Sequence, residues 1–125
     1  MDRRVDLSVQ ARVEGDALHV RGRATVPDGA LIVFAARRVQ APVRRAMGYA
    51  RVAGHGYAAA LDIAGWPPGD IVVDAHFQMM LPDRSQPAAL QALYGASGER
   101  MTGPGVVEGG GGFRAAIAST VAGRP

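Results

Sequence analysis

Val5, Leu7, Val9, Ala11 and Val13 alternate with Asp6, Ser8, Gln10 and Arg12. A strand sends successive side chains to opposite faces, so a two-residue period gives this segment one dry face and one wet face. The rhythm returns along the chain, and Gly, Pro and Asp punctuate it. Strands are expected over 5–13, 17–26, 31–39, 45–52, 57–63, 71–79 and 113–121. Glu14-Gly15-Asp16 and Pro27-Asp28-Gly29 supply turn chemistry, since Pro suits the first central position of a turn and Gly provides positive φ. Gly54-His55-Gly56 and the rigid Gly65-Trp66-Pro67-Pro68-Gly69-Asp70 corner separate later strands.

One stretch breaks the period. After Ser85-Gln86-Pro87, a short helix is expected over 88–94: Pro fits a first helical turn, Gly95 the C-terminal end, and Leu90, Leu93 and Tyr94 share a face. Residues 96–108 read as loop. These signals predict an all-β fold, a seven-stranded antiparallel immunoglobulin-like sandwich with one short helix before the last strand, as a single domain over 1–125. In that architecture the first, second, fifth and fourth strands share one sheet, and the third, sixth and seventh form the other.

A chain of 125 residues buries roughly two thirds of its unfolded surface, enough for a core without covalent staples. There is no cysteine, which excludes disulfides and thiolate metal sites, and no cofactor is expected. All 14 basic residues are arginine, and the net charge is only +3, which favours solubility over strong polyanion binding. No run of about eighteen apolar residues occurs, so no membrane span is expected. Met1-Asp2-Arg3-Arg4 leads directly into the first strand without the apolar region of a signal peptide.

The segment GYAAALDIAGWPPGDIVVDAHF, Gly56 to Phe77, resembles bacterial immunoglobulin-like and transthyretin-like domains, in which a strand after a Gly turn leads to a Trp-Pro-Pro-Gly corner and then an apolar strand. LHVRGRATVPDG, Leu18 to Gly29, is similar to the second strand and turn of those domains. The resemblance covers about half of the chain. It implies a non-enzymatic accessory or surface module, extracellular or at the cell surface, with no catalytic residues; a cytoplasmic location stays open.

Strand phase then nominates surfaces. If Ile32, Phe34, Phe77 and Ile117 face the core, Leu31, Val33, Ala35, Val72, Ala116 and Ala118 face outward. A face this apolar needs a cover, and either the helix with its loops or a protein partner (a second copy included) supplies it. Leu31, Val33, Val72, Ala116 and Ala118 are therefore the candidate partner interface. Arg12, Arg21, Arg23 and Arg51, with Arg45 and Tyr49 nearby, are expected on the outer face of the other sheet; this is a candidate polyanion or carbohydrate surface, nucleic acid being the less favoured ligand. His19, His55, His76, Met79 and Met80 include metal-binding types, but the expected strand phases keep them apart. The serines Ser8, Ser85, Ser97 and Ser119 lie in no nucleophile elbow. Gly109–Gly112 reads as a flexible loop or as a hinge for exchange of the last strand. Trp66 is expected to plug one end of the sandwich.

Overall fold

The computed structural model describes residues 3–81, 83–109 and 113–125. It contains β1 (Gln10–Glu14), β2 (Ala17–Arg23), β3 (Leu31–Arg38), β4 (Arg44–Arg51), β5 (Gly56–Asp62), β6 (Gly69–Gln78), α1 (Ala89–Tyr94), β7 (Val106–Glu108) and β8 (Arg114–Arg124). The strands form two antiparallel sheets, β1-β2-β5 and β4-β3-β6-β8-β7. The core lies between them. Leu18 and Val20 come from the small sheet, and Ile32, Phe34, Ile71, Val73, Ala75 and Phe77 from the large one. Burying one such large side chain contributes about 1.5–3 kcal/mol, so the alternating phase of β2, β3 and β6 is also the main energetic choice.

The small sheet does not reach across the whole inner face of β6. Helix α1 joins the core there, burying Leu90, Leu93 and Tyr94. The Tyr94 ring meets Phe77 edge-on, with centroids 5.2 Å apart. Trp66 is half-buried and packs against the core cluster.

Three placements correct the expectation from sequence. First, the 45–52 strand joins the large sheet rather than the small one: β4 pairs with β3 from Leu31↔Arg51 to Arg38↔Arg44. Its inward positions Ala46, Gly48 and Ala50 are small, which lets it lie close under the small sheet's edge. A Cβ on Gly48 would come within 2.9 Å of the Phe34 ring and 3.2 Å of Leu61. Ala53 and Gly56 then bridge across Gly54 and His55, both at positive φ, and the chain crosses to the other layer as β5. Second, the expected loop contains an eighth strand, β7, paired with the start of β8.

Third, the last strand has the opposite phase. Ala116 lies beside Phe77, Ala118 beside Ala75 and Ala122 beside Ile71, and directly paired residues of an antiparallel ladder share a face. Ala116 and Ala122 are buried in the core and Ala118 packs against it. Ile117, Ser119 and Val121 point outward. Small alanines fit opposite the bulky inward side chains of β6, and that fit decides the phase. Of the run at 109–112, only Gly109 lies within the described residues.

Candidate functional site

The outer face of the large sheet divides into a covered end and an open end. At the covered end, Leu31 and Val33 are buried although they point away from the core. The chain from Asp83 to Gln86 lies over them. Tyr49, cross-strand from Val33, donates its hydroxyl to Asp83 at 2.7 Å, and the Arg84 guanidinium stacks on the Tyr49 ring at 4.6 Å. The β3–β6 ladder ends at Val33↔His76. Beyond it the Gln86 amide takes the place of a paired backbone. Its Oε1 accepts from Leu31 N–H at 2.8 Å, and its Nε2 donates to the carbonyls of Leu31 and Gln78, both at 2.9 Å. The chain itself therefore supplies the cover that the apolar excess at Leu31 and Val33 demanded.

At the open end, register aligns Met47, Ala35, Asp74 and Ser119 in one row, and Arg45, Arg37, Val72 and Val121 in the next. Met47 and Val121 keep 55% and 58% of their surface exposed. Arg37, Arg45 and Ala35 are exposed and Val72 is half-buried. Asp70 continues the outward line of β6 and is exposed. Of the five residues expected to form a partner interface, only Val72 belongs to this open end. Leu31 and Val33 are covered, and Ala116 and Ala118 face inward.

The outer face of the small sheet carries most of the expected arginines. Register places Gln10, Arg21 and Ala58 in one row, Arg12, His19 and Ala60 in the next, and Arg23 beside Gly56. Arg51 is corrected out of this group. It lies on the large sheet with Arg45 and Tyr49, and donates to the Gly29 carbonyl at 3.0 Å. Arg12 pairs with Glu14 at 3.2 Å, and His19 lies 3.9 Å from the same carboxylate.

A serine, an aspartate and a histidine do meet on the large sheet. Ser119 donates its hydroxyl to Asp74, and His76 follows two residues on along the same face. The order differs from that of a catalytic triad, in which the imidazole stands between hydroxyl and carboxylate. Among the described residues, no group of three or more histidine and acidic side chains could hold a metal ion.

Burial lowers the His76 pKa from its ordinary 6.5, and the nearby Asp74 carboxylate opposes that shift. The unfolded chain therefore binds a proton before the folded one does, and stability falls as pH drops through the unfolded value. The melting temperature is expected to fall more steeply from about pH 7.5 to about pH 5.5 in the native protein than in His76→Gln. Equal slopes in a thermal scan would remove His76 as the source.

Among the described residues, no helix is long and apolar enough to cross a membrane. In comparisons with known proteins, no family model, no curated protein and no solved structure matches the chain.

Proposed function

We propose that the protein is a non-enzymatic structural module that binds a second copy of itself through the open end of its large sheet, as a building block of a cell-surface or filamentous assembly. The observation that carries this reading is the pair of exposed apolar side chains, Met47 and Val121, flanking Ala35 and Val72 on one sheet face. Isolated exposed apolar residues need no explanation, whereas a contiguous apolar strip with a polar rim marks a contact surface.

Charge supports a like partner. The strip runs diagonally from Met47 and Ala35 to Val72 and Val121, with Arg37 and Arg45 on one flank and Asp74 and Ser119 on the other. A half-turn about an axis running along that diagonal strip lays the strip on its own copy and the arginine side of one copy over the Asp74 side of the other. Such a contact is isologous: one patch serves both partners and closes a pair, and growth of an assembly beyond the pair takes a second contact.

Met47→Asp combined with Val121→Asp tests the reading by sedimentation over a dilution series. The native protein is expected to associate as concentration rises. The double variant should stay monomeric, with a stability change within about 0.5 kcal/mol because both sites are exposed. A native protein that stays monomeric at high concentration contradicts the reading.

A further inference from the structure

We infer that the outer face of the small sheet binds a linear polysaccharide carrying sulfate or carboxylate groups. This face is opposite the proposed self-contact and independent of it. Arg21 and Arg23 stand two residues apart on one face of β2, about 6.8 Å along the strand. Both are exposed, and among the described residues no hydrogen bond or ion pair engages either guanidinium. Arg12 stands one row further along, on the neighbouring strand. Its partner Glu14 is itself largely exposed, and an exposed pair of this kind is weak, so an incoming anion can displace it.

Small side chains open the access. Gly56, Ala58 and Ala60 occupy the outward positions of β5 and form a bare shelf beside the arginines. A shallow groove of about 250 Å³ runs here, bounded by Gln10, Arg12, His19, Arg21 and Ala58. Gln10 can exchange hydrogen bonds with sugar hydroxyls, and the arginine forks match planar or multi-oxygen anions. Glu14 and Asp62 close the far end with negative charge, so an anionic chain lies along Arg23, Arg21 and Arg12 rather than across the whole face.

The aromatic content of the face chooses between polymers. The outward positions of β1, β2 and β5 carry no Phe, Tyr or Trp. Single-stranded nucleic acid gains much of its affinity from bases stacked on aromatic rings, and this face offers none.

The test uses heparin as the sulfated probe, hyaluronate as the carboxylated one and poly(dT) as the nucleic acid. It compares two charge-matched double variants, Arg21→Ser with Arg23→Ser and Arg44→Ser with Arg100→Ser. At low salt the first pair is expected to lose about tenfold or more in affinity for heparin or hyaluronate, and the second less than about twofold. Which of the two probes binds identifies the anionic group. Thermal melts confirm that both variants are folded. Equal losses in the two variants would mean attraction by net charge and would overturn the site, as would no binding of either polysaccharide by the native protein. Tighter binding of poly(dT) with the same dependence on Arg21 and Arg23 would overturn the ligand class. None of these readouts depends on the Met47 contact.

Discussion

Replacing Arg38 with methionine is expected to lower the unfolding free energy by about 3–4 kcal/mol, while the same replacement at its neighbour Arg37 costs less than about 0.5 kcal/mol. The two arginines are adjacent in sequence and opposite in fate. Arg38 has the inward phase of β3, shared with Ile32, Phe34 and Ala36, and is only 7% exposed. Among the described residues no carboxylate pairs with it. Carbonyl groups hold its charge instead. Its Nε donates to Pro67 and Pro68, at 3.2 and 3.1 Å, and its Nη2 to Pro68 at 2.6 Å. Its Nη1 donates to Gln40 at 2.7 Å and to Pro42 at 3.2 Å.

One side chain thus joins the β3–β4 loop to the Pro-Pro-Gly corner. Hydrogen bonds to a charged donor are each worth roughly 1.5–3 kcal/mol, and their loss strands part-buried carbonyls without a donor. Arg38→Lys should recover only part of the loss, because an ammonium group is a compact point donor and cannot reach as widely as the planar fork. Thermal unfolding checks the prediction. A loss of this size corresponds to roughly 10–15 °C for a domain of this length. Equal effects at positions 37 and 38 would contradict it.

Gly22→Ala is expected to cost about 2–3 kcal/mol, an unusually large effect for adding one methyl group. The backbone at Gly22 has no need of positive φ, so the cost is purely one of space. A Cβ there would overlap the Ser8 carbonyl oxygen and approach the Tyr57 hydroxyl. Tyr57 donates that hydroxyl to the same carbonyl at 2.6 Å, over the bare glycine. Burial pushes the Tyr57 pKa up to about 12, consistent with a phenol held neutral. Tyr57→Phe alone should cost about 1 kcal/mol for the lost hydrogen bond. Combined with Gly22→Ala it should cost less than the sum, since part of the clash disappears with the hydroxyl. Denaturant titration of the four proteins gives the coupling, and additive losses would show that Gly22 and Tyr57 act separately.

These sites mark how far the sequence could be read. Phase was legible wherever large apolar residues alternated with polar ones: Leu18 and Val20 against His19 and Arg21, or Ile71 to Phe77 against Asp74 and His76. It failed in β8, where alanine stands on both faces and is too small to choose a side. The choice came from the partners opposite, Phe77 and Ile71. Neighbourhood was less legible than phase. A two-residue period says which way a side chain points and nothing about which strand lies beside it, so β4 was assigned to the wrong sheet and took Arg51 with it. Its small inward positions were the available signal.

Arg38 was also readable in principle, because the even phase of β3 runs straight through it. Gln86 had no such signal: its amide fills a gap between β3 and β6 that exists only in three dimensions. Surface candidates followed the same rule. Arg12, Arg21 and Arg23 converge because they share in-phase strands of one sheet, whereas Val72 lies in the open end, away from the covering segment.

The proposed self-contact is tested most directly by the reactivity of two methionines. Met47 and Met80 are exposed to similar degrees, 55% and 59%. Met47 lies in the apolar strip and Met80 next to the covering segment, at the other end of the sheet. With peroxide in the same excess, Met47 oxidation should slow as protein concentration rises while Met80 oxidation stays constant. Equal rates at every concentration, or equal slowing of both, would contradict the assignment of this face as the contact between copies.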